Sequence, residues 1–338
     1  SHGIRRVKTS EEAQQLKREK ERHLIQEYTA LVTTVFEHRQ AHDYDDEAFT
    51  QTTKLLRKNP ELYTVWNYRR EILNHRFPQQ SVAEKTLTCQ AELDFFMETI
   101  PFNPKCYWIW NHRMWALHTI PDPDWKQELA LVNRMLDQDS RNFHGWNYRR
   151  YVITQLQQQQ PDKSGDVNQA EFDYTTLKIN QNFSNRSAWH NRSKLLPRLL
   201  KSIAPQDHGK VMELVAQEYD LVRNAIYTEP EDQCAWLYWR WLLQMDLDQY
   251  QPNHEARCQL VAQELLVIEE LLELEPDSQW AIQNWLYLKQ LQRTTLGVAL
   301  SGAEVQQMVT LIEKLEVLDP LRIGRYRDWH AQVTAKAG

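Results

Sequence analysis

The sequence predicts an all-α protein, a superhelix of about seven antiparallel helical hairpins, and three observations carry that prediction. A tryptophan followed by polar residues and an arginine recurs five times, at Trp66-Asn67-Tyr68-Arg69, Trp110-Asn111-His112-Arg113, Trp146-Asn147-Tyr148-Arg149, Trp189-His190-Asn191-Arg192 and Trp236-Leu237-Tyr238-Trp239-Arg240. The tryptophans lie 44, 36, 43 and 47 residues apart, a period that marks a chain stacked from supersecondary units. Apolar residues recur at helical intervals, runs alternating at period two are missing, and only 8 glycines occur in 338 residues.

Taken in chain order, Ser1 to Thr9 read as an extended arm and residues 10–42 as a charged N-terminal helix with spaced apolar residues; the repeats fill residues 43–338. Each unit reads as two helices. Asn59-Pro60, Asn103-Pro104 and Glu229-Pro230 precede their tryptophans by six to seven positions, and a proline just inside a helix start loses no hydrogen bond, so these dipeptides are expected to punctuate the turn before the second helix. Its apolar face is expected at Tyr63, Trp66 and Leu73, at Tyr107, Trp110 and Leu117, and at Phe143, Trp146 and Ile153. The first helices carry the same period, as in Leu129, Val132, Met135 and Leu136. Gln157 to Asn168 reads as a loop between repeats three and four. Glu275-Pro276 and Asp319-Pro320 repeat the turn signal and place two worn units at Ile282 and Tyr326.

Composition sets limits. No stretch approaches the ~20 apolar residues that cross a bilayer, and the beginning of the sequence has no signal-peptide apolar region. Cys89, Cys106, Cys234 and Cys258 show no paired spacing and lie within helical patterns, which suits a reducing, cytoplasmic setting. A net charge of −6 argues against a nucleic-acid partner.

The repeated tryptophans read as packing residues between hairpins. Arginine offers a rigid fork of donors suited to carboxylates and phosphates, and most of the five motif arginines read as ties between hairpins; the Asn after the Trp reads as a partner for exposed backbone in a neighbouring turn. His38 and His42 read as a solvated pair. No Gly-rich phosphate loop, zinc-binding cysteine pair or His-Glu-x-x-His is present. On these residues alone, the chain is a helical-repeat scaffold that binds a protein.

The Trp-Asn-Tyr-Arg-Arg, Trp-Asn-His-Arg and Trp-His-Asn-Arg strings, each behind a turn at intervals of roughly 44, resemble the α-subunit repeat of the protein prenyltransferases from Asp45 to Trp329. The resemblance implies a crescent of hairpins around a separate β subunit that holds a catalytic zinc and most of the isoprenoid pocket, with activity only in the heterodimer. In the CaaX branch the third repeat reads Lys-Asn-Tyr-Gln-Ala-Trp, with the Lys toward the isoprenoid diphosphate and the Gln toward the peptide carboxylate. Here the stretch is Arg141-Asn142-Phe143-His144-Gly145-Trp146: Arg141 keeps the cation and His144 replaces the carboxylate-reading Gln.

That replacement resembles the Rab branch, as does His2-Gly3-Ile4-Arg5-Arg6-Val7-Lys8-Thr9-Ser10-Glu11-Glu12. The proline-rich extension of CaaX-type subunits and the immunoglobulin-like and leucine-rich-repeat domains of some Rab-type subunits do not occur in this sequence. Membership there implies geranylgeranyl transfer from geranylgeranyl diphosphate to cysteines near the C-terminus of a Rab GTPase presented by a Rab escort protein. Arg141 is expected to stabilise the departing diphosphate, the alternative being an ion pair with a neighbouring repeat. His144, Asn185, Arg186 and His190 are candidates for lining the substrate cleft or for packing. His2 is either an arm residue that reaches the zinc of the β subunit as an autoinhibitory ligand or part of a tail. A shared α subunit of farnesyltransferase and geranylgeranyltransferase type I, or a non-catalytic adaptor, are the competing readings.

Overall fold

The computed structural model describes residues 11–159, 161, 164–203, 207–251 and 253–335. His2 and the arm Ser1 to Thr9 lie outside the described residues. Among the described residues the chain is all α, without strands. A single helix, α1 (Glu11–Ala41), precedes seven hairpins: α2 (Asp46–Lys58) with α3 (Tyr63–Arg76), α4 (Val82–Thr99) with α5 (Tyr107–Thr119), α6 (Trp125–Gln138) with α7 (Phe143–Gln159), α8 (Ser164–Gln181) with α9 (Arg186–Ile203), α10 (His208–Thr228) with α11 (Gln233–Gln249), α12 (His254–Leu274) with α13 (Gln279–Thr294), and α14 (Gly302–Leu318) with α15 (Ile323–Ala335). The chain divides into two compact units, Ser1–Gln155 and Leu156–Gly338.

Local chemistry starts the helices. Asp45 accepts the Ala48 amide at 2.8 Å, Asp207 the Lys210 amide at 3.0 Å and Asn253 the Ala256 amide at 2.9 Å, each satisfying one donor that has no intrahelical partner. Ser81 with Glu84 and Ser301 with Glu304 form reciprocal capping boxes at α4 and α14. In α2, Asp46 and Glu47 sit in the first turn and Arg57 and Lys58 in the last, matching the helix dipole.

Asn59 and Pro60 stand in the turn before the second helix, as the sequence predicts. Asn59 ends α2 with φ −150° and ψ 91° and α3 begins at Tyr63; the residue before a proline is driven out of the helical region, so the dipeptide stops the first helix. The turn is then closed from within the repeat. Trp66 Nε1 donates to the Pro60 carbonyl at 2.8 Å, and Trp110, Trp146, Trp189 and Trp236 do the same to Pro104, Ser140, Phe183 and Pro230 at 3.2, 2.8, 2.7 and 2.7 Å, always six residues back. All five indole rings are buried.

The predicted apolar face is shifted at one position. Tyr63, Tyr107 and Phe143, three residues before the tryptophan, are 53%, 57% and 61% exposed. Within the first turn Val65 and Trp66 are buried while Tyr63 stands on the outer edge, and the buried face takes the residues at, just before, and two, three, six and seven after the tryptophan, such as Val65, Tyr68, Arg69, Ile72 and Leu73. The loop expected from Gln157 to Asn168 is also shorter: Gln157 to Gln159 end α7 and α8 already begins at Ser164, because glutamine is a good helix former. Ile282 and Tyr326 are buried at the centres of the two worn units.

Candidate functional site

Most motif arginines are ties, built around glutamates. Arg69 on α3 forms two bonds with Glu92 on α4, at 2.7 and 2.8 Å, and the same carboxylate meets His112 Nε2 at 2.7 Å. Arg113 bonds Glu128 at 2.8 and 2.6 Å, and Tyr148 donates to it as well. In the second unit Glu218 receives Arg192 and Tyr238. One carboxylate thus joins the second helix of one repeat to both helices of the next, and the paired side chains are at least nine-tenths buried. Arg69 and Arg192 further bond a Thr-Thr pair and lie over Phe49 and Phe172 at 3.8 and 3.7 Å. In the fifth unit the register moves: Trp239 occupies the arginine's place and donates to Glu264 at 2.6 Å, while Arg240 reaches Asn284.

These glutamates escape a reading centred on the tryptophans, yet the sequence marks them. Glu92, Glu128, Glu171, Glu218 and Glu264 each stand 18 residues before the next repeat centre. The Asn after the Trp has a different role from the expected one: Asn67 and Asn147 accept from Arg70 and Arg150 on their own helices at 2.5 and 3.0 Å.

Arg141 and His144 lie together at the start of α7 in the first unit. Asn142 Oδ1 accepts the His144 and Gly145 amides at 2.9 and 3.1 Å, and its Nδ2 donates to the Pro104 carbonyl of the preceding turn at 3.3 Å. A side chain at Gly145 would place Cβ 3.0 Å from Leu136 Cδ2, so glycine lets α7 start close against α6. Arg141 is exposed, and its guanidinium has no hydrogen-bond or ion-pair partner among the described residues. The His144 ring stands edge-on to Tyr107 at 4.2 Å. Burial pushes His144 below the usual histidine range; Glu61 opposes the shift and Lys105 adds to it, so the ring is neutral at pH 7. Tyr63 packs on Trp108 at 5.1 Å, and with Tyr107 and Phe143 these rings form an aromatic row at the starts of α3, α5 and α7.

Asn185, Arg186 and His190 belong to the second unit and separate into two groups. Asn185 is buried and caps α9 by accepting the Ala188 amide at 3.1 Å. Arg186 and His190 line a groove of about 310 Å³ with Lys194 on α9 and Leu237 and Trp241 on α11. A second cavity in this unit, about 440 Å³, lies between α10 and α12 beside Tyr219, Arg223 and the buried Asp246, whose carboxyl is pushed up by burial. His38 pairs with Asp43 at 2.9 Å, and His42 approaches Tyr44 at 3.3 Å. Among the described residues no group of three or more His, Cys, Asp or Glu is placed to hold a metal ion, and no helix is long and apolar enough to cross a membrane.

The Protein prenyltransferase alpha subunit repeat family matches residues 45–76, 89–120, 125–156, 168–199 and 215–246. The chain is 40% identical over 341 residues to the geranylgeranyl transferase type-2 subunit alpha of Schizosaccharomyces pombe, covering 96% of each. It is 40% identical over 273 residues to the Candida albicans protein of that name, covering 73% of this chain and 74% of the relative. Against the human protein of that name it is 39% identical over 258 residues, covering 76% of this chain and 43% of the relative. The chain therefore spans less than half the length of its human relative. Among solved structures, Candida albicans protein geranylgeranyltransferase-I complexed with GGPP superposes with a TM-score of 0.67 at 20% identity, covering 91% of each chain, a likeness of fold.

Proposed function

The chain belongs to the protein prenyltransferase α-subunit family, in its geranylgeranyl transferase type-2 branch, and from that membership we propose that it works as the α half of a heterodimer. The heterodimer transfers a geranylgeranyl group from geranylgeranyl diphosphate to cysteines near the C-terminus of Rab GTPases presented by an escort protein. The observation that carries this reading within the chain is Arg141, an exposed cation with no partner among the described residues just before α7, whereas the motif arginines Arg69, Arg113 and Arg192 are buried in ion pairs within their helices.

Its guanidinium stabilises the negative charge that grows on the departing diphosphate, with a fork of donors matched to phosphate oxygens. His144, neutral and packed on Tyr107, presents a ring where a CaaX-reading enzyme carries an amide, which favours a substrate recognised away from its terminal carboxylate. The exposed row of Tyr63, Tyr107 and Phe143 offers apolar area for a β subunit. Zinc belongs to that β subunit in this reading and lowers the pKa of the substrate thiol. His2 is a candidate for reaching that zinc when substrate is absent. Setting is cytoplasmic.

Co-expression with type-2 and CaaX-type β subunits, followed by transfer assays on a Rab with its escort protein and on a CaaX peptide, tests the proposal. Escort-dependent Rab transfer with the type-2 partner is the expected result. Transfer to the CaaX peptide alone would assign the chain to the other branch, and failure to assemble with either β subunit would leave a non-catalytic adaptor.

A further inference from the structure

We propose that the outward face of α9 is an electrostatic docking strip for an acidic segment of the β subunit, an inference that rests on the heterodimer reading. Arg186, His190, Lys194 and Arg198 follow one another at intervals of four, which keeps them on one side of the helix. They extend along about 18 Å of it. The whole helix, Arg186–Ile203, contains no Asp or Glu, although the chain as a whole has 46 acidic against 40 basic residues.

Arg192 on the same helix is neutralised by Glu218. Arg186, Lys194 and Arg198 are exposed instead, with no hydrogen-bond or ion-pair partner among the described residues. Like charges four apart disfavour their own helix, so the strip is a cost to α9 that an external anion removes.

The strip also borders a shaped surface. Arg186, His190 and Lys194 form one wall of the groove whose other wall is Leu237 and Trp241. The groove runs on past Pro197 and Trp241 into a further volume of about 380 Å³ that ends at Asp248, where Gln244 donates to both carboxylate oxygens at 3.0 Å. A cationic wall facing an aromatic one fits an extended segment whose carboxylates meet the guanidinium forks and whose apolar side chains lie on Trp241. In a chain of net charge −6, such a strip orients an acidic partner that the rest of the surface repels.

The test is the association rate of the full chain with its cognate β subunit, followed by stopped flow at low and high salt. The triple variant R186E/K194E/R198E is expected to slow association on the order of tenfold or more at low salt, with the milder R186Q/K194Q/R198Q in between. Wild type at high salt should approach the variant's rate. K54E/K126E/R134E in the first unit carries the same change in net charge and should assemble at the wild-type rate, and circular dichroism establishes that each variant folds; if the reversal does not, the glutamine variant decides. Wild-type association and salt dependence in the folded triple or glutamine variant would overturn the docking strip while leaving the heterodimer intact. Failure of the wild-type chain itself to bind the β subunit would overturn both.

Discussion

Arg69 and Glu92, 23 residues apart on adjacent repeats, meet through two parallel hydrogen bonds of 2.7 and 2.8 Å with both side chains at most 4% exposed. The pair is closed by His112, which brings the second helix of the next repeat to the same carboxylate. Breaking it from either side leaves an uncompensated buried charge. Arg69→Ala or Glu92→Ala should lower unfolding stability by about 3–5 kcal/mol, measured by urea denaturation. Replacing both together with apolar residues should cost much less, because no charge is stranded.

Stability should also fall in two steps as pH drops. Burial pushes His112 below its ordinary value, and this outweighs its bond to Glu92, so the folded protein holds a neutral ring. The unfolded chain takes up that proton first, and the associated stability is present above pH ~6.5 and lost below it. Burial alone would raise Glu92, but the hydrogen bond from His112 and the charge and bond of Arg69 hold it at about 2. Its contribution is present above pH ~4.3 and is lost as pH falls from there through about 2. In His112→Gln the first step should vanish from the denaturation profile; an unchanged profile would show that the ring does not carry it.

Trp66 serves the repeat through its indole nitrogen as well as its bulk. Trp66→Phe loses the 2.8 Å bond to the Pro60 carbonyl, which also accepts from Cys106 Sγ at 3.4 Å. A loss of about 1–3 kcal/mol is expected from the lost volume and from a carbonyl left with only the weak thiol donor. Chemical denaturation reads it, and the fold by circular dichroism should be retained.

What could be read in the sequence divides along a physical line. Spacing within one helix is local, so the hairpins, the five tryptophan centres and the two worn units at Ile282 and Tyr326 were all legible. Contacts between helices are not local. Glu92 pairs with Arg69 over 23 residues and Glu218 with Arg192 over 26, separations that vary with loop length, and only the constant distance of each glutamate from the following tryptophan would have exposed them. Which edge of a helix start is covered depends on how the neighbouring helices pack, which is why Tyr63, Tyr107 and Phe143 read as core and stand at the surface. Among the candidate site residues, the type of Arg141 was legible from the third repeat, whereas its lack of a partner and the capping role of Asn185 follow from the packing.

In the proposed heterodimer Arg113 holds repeats together while Arg141 serves the substrate, and one paired experiment addresses this contrast most directly. Arg113→Ala and Arg141→Ala should be measured side by side, as assembled heterodimers, for thermal unfolding and for single-turnover geranylgeranyl transfer. Arg141→Ala is predicted to unfold like wild type and assemble normally while transfer slows on the order of a hundredfold, and Arg113→Ala to unfold early because Glu128 is stranded. Unchanged single-turnover transfer in Arg141→Ala, or a loss of stability matching that of Arg113→Ala, would contradict it.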